Sequence, residues 1–330
     1  MYGTRGESAV SVDVQEQLRH VVEAATLAPS VHNTQPWRFR ITGDGFELRA
    51  DRSRQLHVLD PAGRQLTISC GAALAHAEVA ARAIGSDLQV DLLPDPDDAD
   101  LLARVHVLPG AVASVEEVKE AEALLRRHTS RERYDDRPLP PELADELRVV
   151  VERQGAMLRA ISREDDLIEL EVLLSTADAA EERDPEYRDE LRSWVHPVDS
   201  GDGIPPVGGG AAARASSLRL RDFSLSTPER VSGEAPPAEH PAVIVLTTED
   251  DRPESWLRAG RALGRMLLHA AAAGVQAQPL GQVTDLESHR RQLARRLTLV
   301  GVPQLVLRLG YVHDRATAPR RPVEDVLDLG

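Results

Sequence analysis

Aromatic residues make up only 3% of the 330-residue chain, so aliphatic side chains and Ala must fill the core. Cysteine occurs once, at Cys70, which excludes an intrachain disulfide and a cysteine-based metal site. Lysine also occurs once, at Lys119; 38 of the 39 basic residues are Arg, the signature of codon usage in a GC-rich genome. No long apolar run exists. The longest uncharged apolar stretch, 266–284, contains Gly274, Pro279 and three glutamines, which argues against a membrane span. The start carries Arg5, Glu7, Asp13 and Glu16 in place of an apolar signal segment, so a cytoplasmic protein is expected. Basic charge is in deficit: 39 Lys and Arg face 54 Asp and Glu, a net −15. That opposes binding to nucleic acid and docking on anionic membranes. A small anion held by a few local arginines stays open.

The length suggests two domains or one large one, able to bury its own core. The 42% hydrophobic and 28% charged content is that of a globular chain. Hydrophobic spacing predicts a first helix over 15–27, ended by Ala28-Pro29-Ser30. A hairpin follows over 37–50, turning at Gly43-Asp44-Gly45, then an Ala-rich helix over 71–84. Short strands are expected at 88–92 and 104–108, and helices at 115–126, 140–154, 164–180 and 186–194. Periodicity is lost between Val195 and Pro241, a Pro- and Gly-rich stretch of the kind that is functional or disordered. A strand at 242–247, a helix at 254–273 and a core strand at 304–309 close the series.

The order of elements repeats. Leu18-Arg19-His20-Val21-Val22-Glu23 matches Leu147-Arg148-Val149-Val150-Val151-Glu152 at five of six positions. Gly71-Ala72-Ala73-Leu74 pairs with Gly260-Arg261-Ala262-Leu263, and each of those helices ends at a glycine, Gly85 or Gly274. The strand ending Leu108-Pro109-Gly110 pairs with the one ending Arg308-Leu309-Gly310. Two fused halves are expected, 1–115 and 116–330, the second carrying an insertion at 195–241.

Each half carries a polar motif that the other lacks. In Arg127-His128-Thr129-Ser130-Arg131, extended backbone would point Arg127, Thr129 and Arg131 to one side. Two guanidiniums and a hydroxyl make either a phosphate grip or a solvated basic patch. In Pro29-Ser30-Val31-His32-Asn33-Thr34-Gln35-Pro36-Trp37, the side chains of Ser30, Asn33 and Gln35 either bond a heterocycle edge or cap a turn.

These segments carry a resemblance. Arg127-His128-Thr129-Ser130-Arg131, followed by Tyr134 and Pro138-Leu139-Pro140, resembles the opening motif of the nitroreductase family. Pro29 to Trp37 resembles its P-S-x-x-N-x-Q-P-W motif, and Arg320-Arg321-Pro322-Val323-Glu324-Asp325-Val326 its C-terminal end. The motif order, with the Pro-Ser segment first, is similar to the Acg-like branch. The resemblance implies an α+β fold of two nitroreductase-like halves, with mixed and antiparallel sheets flanked by helices and one FMN between the halves. It implies that Arg127, Thr129, Arg131 and Arg320 hold the phosphate. Pro29, Ser30, His32, Asn33 and Gln35 would serve the ring, and Leu280-Gly281 would offer backbone N–H groups to it. NAD(P)H would reduce the flavin, and a nitro-, quinone- or similar small-molecule acceptor would reoxidise it. The cofactor carries the hydride chemistry, so no acid or base residue is named. If the insertion is a lid, the alternative is an FMN-sequestering protein with little turnover. The assembly is expected to be a pseudo-dimeric monomer or a homo-oligomer.

Other signals point to no separate chemistry. The histidines lack metal-ligand spacing, and Gly208-Gly209-Gly210 lacks the Lys-Ser/Thr of a P-loop. No G-x-S-x-G elbow and no Rossmann glycine fingerprint is present. Cys70 reads as a core residue.

Overall fold

The computed structural model describes residues 7–196, 200–205, 218–221, 223, 239, 241–312 and 318–329, with side chains from 14 onward. The chain is α+β. Helix α1 (Glu7–Thr26) buries Leu18, Val21, Val22 and Ala25 along one face. Strands β1 (Trp37–Thr42) and β2 (Gly45–Ala50) form the expected hairpin, with Phe39 opposite Leu48. Helix α2 (Arg64–Ala83) is buried along nearly its whole length. It begins seven residues before the expected Gly71. Asp60 accepts the Leu66 N–H at 2.9 Å, placing a carboxylate at the positive end of the helix. The polar first turns are buried because they are partnered: Arg64 donates to the Gln304 and Thr284 carbonyls, and Gln65 to Asp285. Strands β3 (Ser86–Leu92) and β4 (Leu101–Pro109) and helix α3 (Val115–Ala123) follow.

Beyond α4 (Pro141–Glu152) come β5 (Met157–Ile161), α5 (Glu164–Arg183) and α6 (Pro185–Ser193). Then β6 (Ala242–Thr248), α7 (Pro253–Ala272), β7 (Gln276–Pro279), α8 (Gln282–Asp285), α9 (Glu287–Arg296) and β8 (Val302–Gly310) complete a second set. A final short strand, β9 (Leu327–Asp328), returns to the first sheet. Periodicity did not reveal β7, because the Gln276 and Gln278 side chains point inward. Gln276 accepts the His128 N–H, and Gln278 accepts from Arg308.

One sheet has the order β3-β4-β2-β1-β9, and the other β5-β6-β8-β7. All pairs are antiparallel except β1–β9. Read from the opposite edge, the second sheet runs β7-β8-β6-β5, the order of the first without β9. Between the sheets α2 and α7 cross at their glycines. A Cβ on Gly71 would stand 2.3 Å from the Leu257 carbonyl oxygen and 2.9 Å from the Gly260 Cα. One on Gly260 would meet the Ile68 carbonyl oxygen at 2.1 Å. Only glycine at both places permits this approach. The first core joins α1, α2 and the first sheet around Trp37, Phe39 and Phe46. The second joins α4, α7 and one face of the second sheet. A third covers the other face of that sheet with α5 and α9.

The expected lid at 195–241 lies largely outside the described residues. Its described parts are packed. Leu218 and Leu220 join the third core, and Ile204 and Phe223 sit with Leu56, Leu59, Tyr187 and Leu191.

Candidate functional site

The segment after α1 is a tight loop with unusual backbone. His32, Asn33 and Gln35 have φ of 45°, 55° and 49°. Each non-glycine residue in this region costs about 1–3 kcal/mol and persists only where its surroundings hold it. Here they do. Ser30 Oγ accepts the Gln35 N–H at 2.9 Å, and Ser69 Oγ on α2 accepts the Val31 N–H at 3.1 Å. Asn33 Nδ2 donates to the Gly203 and Pro319 carbonyls. Gln35 Nε2 donates to the Gly201 carbonyl, and its Oε1 accepts the Arg321 N–H at 2.9 Å. Asn33 and Gln35 therefore spend these side-chain bonds on the chain's own backbone. They shape the loop and anchor the insertion and the 318–329 segment to it, and neither lines the cavity beside them.

That cavity, open to solvent, lies between the loop, α2, β7 and the start of α8. Pro29, Ser30 and His32 line one side, and Thr129, Arg131 and Gly281 another. Thr129 reaches this position because it bridges Ala277 of β7, whose carbonyl accepts the Ser130 N–H. Leu280 does not take part as the resemblance implied. Its side chain is in the third core and its N–H donates to the Val306 carbonyl at 2.8 Å. The strand pairing of this segment leaves that N–H nothing to offer a ligand.

The arginine motif divides between two places, where its alternation pointed to one grip. Arg127 turns under α1, and its Nη2 donates to the Leu27 carbonyl at 3.0 Å. Arg320 donates to the same carbonyl at 3.1 Å and to Asn33 Oδ1 at 3.2 Å. Arg131 instead lies over the Phe223 ring, 4.6 Å from its centroid, at the cavity wall. Burial pushes the Arg127 guanidinium down to about 9, with Arg320 adding repulsion. Burial also pushes Arg320 down to about 10, and Arg131 to about 10 with a contribution from Arg221.

Among the described residues, Arg127, Arg131 and Arg320 form no ion pair with a carboxylate, and the Nε atoms of Arg127 and Arg320 are buried without a partner. The other deeply buried arginines are all paired. Arg64 faces Asp285, Arg221 bonds Glu181 and Asp285, Arg290 bonds Asp251, and Arg308 bonds Glu239. In a chain with 15 surplus negative charges, unpaired buried guanidiniums mark a place for an anion from outside.

Two residues that sequence reasoning missed belong to the cavity. Arg221 and Phe223 line it from within the insertion, where no periodicity or motif signals them. Phe223 stands edge-on to His32, with ring centroids 5.8 Å apart. Burial, Arg221 and Arg131 together hold the His32 ring well below its usual pKa. Cys70 is fully buried, as its sequence context implied, and burial pushes its thiol far up. Among the described residues there is no cluster of His, Cys, Asp and Glu that could hold a metal ion. No described helix is long and apolar enough to cross a membrane.

A protein of Mycobacterium tuberculosis (strain H37Rv) named "Putative NAD(P)H nitroreductase" is 32% identical over 318 residues, covering 95% of this chain and 91% of that one. The chain belongs to the nitroreductase family. A second relative from that organism, "Putative NAD(P)H nitroreductase acg", is 29% identical over 332 residues, with 98% of both chains covered. A third, named only as an uncharacterized protein, is 32% identical over 325 residues, with 94% and 93% covered. No model of a known protein family matches the chain. Among solved structures, a nitroreductase with bound FMN from Desulfitobacterium hafniense is similar at a TM-score of 0.39 and 13% identity. It covers 63% of this nitroreductase homologue and 95% of that chain. The NfrA1 nitroreductase of B. subtilis is similar at a TM-score of 0.38 and 13% identity, over 63% and 72% of the two chains.

Proposed function

We propose that this nitroreductase homologue is an FMN-dependent NAD(P)H oxidoreductase acting on a nitro-, quinone- or similar small acceptor, with one FMN per chain. The observation that carries the reading is the set of buried guanidiniums without carboxylates, contributed by the arginine motif and the 318–329 segment. Their chemistry fits a ligand with a phosphate at one end. Arg127 and Arg320 would hold that phosphate beneath α1. Thr129, Arg131, Pro29, Ser30, His32 and Gly281 would receive the ring in the cavity. Bound FMN supplies hydride transfer; the protein orients it and limits its contact with water. The burial that depresses Arg127 strengthens its hold on an anion, since the charge is poorly screened there.

In this reading residues 1–115 and 116–330 are two halves of one folded unit, each contributing part of a single site. The shared strand order of the sheets and the facing Gly71 and Gly260, which the repeat aligns, support it. A pseudo-dimer of this kind is complete as a monomer in the cytoplasm; sedimentation and cell fractionation test those two points.

Anaerobic mixing of the flavin-loaded protein with NADH or NADPH tests the activity. Prompt bleaching of the oxidised-flavin band is expected, at one flavin per chain. An unchanged band over many minutes refutes the oxidoreductase reading and favours the second one, flavin sequestration. The wall built by Arg221 and Phe223 favours that alternative, because residues of the insertion line the cavity beside His32. A stoichiometry of two flavins refutes the shared site.

A further inference from the structure

The two ring nitrogens of His32 have different surroundings. Nε2 lies 3.2 Å from an Nη1 of Arg221. A guanidinium has donors and no acceptor, so Nε2 must accept. The proton of the neutral ring then sits on Nδ1. A second proton would set an imidazolium against Arg221 and Arg131 inside the protein, so the ring stays neutral.

Arg221 is itself fixed. Its Nη2 donates to Glu181 on α5 at 2.7 Å and to Asp285 on α8 at 3.0 Å. Two carboxylates thus hold the guanidinium and leave Nη1 to His32. The loop conformation fixes the other partner, since His32 is in the left-handed region and its ring packs against Phe223.

Nδ1 is buried and, among the described residues, has no hydrogen-bond partner. The residue is 7% exposed and lines the cavity. A buried N–H without an acceptor is unfavourable and calls for explanation, and a ligand that supplies the acceptor removes the problem.

We propose that Arg221 fixes His32 as the Nδ1–H tautomer, and that this N–H donates a hydrogen bond to the ligand occupying the cavity. The ligand must present a carbonyl oxygen or an unprotonated ring nitrogen at that edge. Arg221 is a positioning residue: it acts on the ligand through His32. An insertion residue thereby sets the hydrogen-bonding character of the Pro29–Trp37 loop. Identifying the ligand as FMN, whose ring edge carries both acceptor types, rests on the proposed function; the tautomer does not.

The test is nitrogen-15 NMR of the full chain with ring-labelled histidine, first free of flavin. The His32 signals are assigned by their loss in His32→Asn, a residue that tolerates the left-handed backbone. The expected pattern is a protonated Nδ1 and a bare Nε2. An Nε2–H ring or an imidazolium overturns the proposal. Arg221→Lys, which still only donates, should retain the pattern, and Arg221→Met should give a mixture of tautomers. If the Met variant does not fold, the wild type and the Lys variant decide. FMN is then added to saturation. A shift of the Nδ1–H resonance supports the donor role, and FMN binding that leaves the resonance unmoved overturns it. Failure of FMN to bind at all refutes the cofactor reading instead, while the flavin-free spectrum still decides the tautomer.

Discussion

Replacing Arg127 by Met should make the flavin-free protein more stable while weakening its hold on FMN. The fall of the Arg127 guanidinium from 12.5 to about 9 corresponds to about 5 kcal/mol against the charged form, at ~1.4 kcal/mol per pH unit. Methionine removes that penalty and fills similar space. It also removes the bond to the Leu27 carbonyl, worth about 1.5–3 kcal/mol for a charged donor. A net gain of about 2–3 kcal/mol remains, or about 5 °C in Tm at roughly 2 °C per kcal/mol for a chain of this size. The same variant should lose about 2–5 kcal/mol of FMN binding, a weakening of about 30-fold or more. Thermal melting with and without FMN, together with a flavin-fluorescence titration, reads both effects. Arg308→Met is the control. Arg308 is fully buried and paired with Glu239, so this change takes the guanidinium away from a buried carboxylate and should cost about 3–5 kcal/mol. The reasoning is refuted if Arg127→Met lowers the Tm of the flavin-free protein and leaves FMN affinity unchanged.

Gly71→Ala should destabilise the fold by about 3 kcal/mol in urea titration, because its Cβ would stand 2.3 Å from the Leu257 carbonyl oxygen; an unchanged midpoint would show that the helices can separate freely. Burial raises Asp60 from 3.8 to about 6, so the folded state holds its proton more tightly and stability falls as pH rises between those values. Asp60→Asn should therefore gain about 1–3 kcal/mol at pH 8 and nothing at pH 3.5; an equal gain at both would refute the assignment. His269 bonds Glu120 and Glu146 at 3.1 Å each, and its pKa is raised above 6.5, the Glu120 bond foremost. Its contribution is fully present below that value and lost as pH rises through the raised one. His269→Gln should cost about 1–2 kcal/mol at pH 6 and distinctly less at pH 9, and a pH-independent cost in denaturant melts would count against this.

Hydrophobic spacing located most helices and the principal strands, since Leu18, Val21, Val22 and Ala25 or the β6 run Ala242–Thr248 bury a simple pattern. It missed elements whose buried residues are polar. The first turns of α2 and most of β7 are buried through hydrogen bonds that Arg64 and Gln65 donate, and that Gln276 and Gln278 accept, across the fold. The same cause separates the candidate site into legible and illegible parts. The motifs brought Pro29, Ser30, His32, Thr129 and Arg131 to one cavity. Nothing local told that Asn33 and Gln35 would bond carbonyls of residues 201, 203 and 319, because those partners are set by the tertiary fold. Arg221 and Phe223 lie in a stretch with no period, so only their packing identifies them.

The bond from Arg320 to the Leu27 carbonyl joins residues 293 positions apart, and β9 pairs with β1 over a similar span. Contacts this distant form late and slowly, since a long loop must close first. At about 5–20 residues per second, synthesis takes about 15–60 s to travel from the end of α1 to Arg320. During that interval the first sheet has its hairpin and the arginine motif has emerged, yet the anion-binding corner lacks one of its two guanidiniums. Flavin capture through both arginines is therefore an event of the finished fold. A nascent chain interrupted before residue 320 would lack the second arginine however well its two sheets had formed.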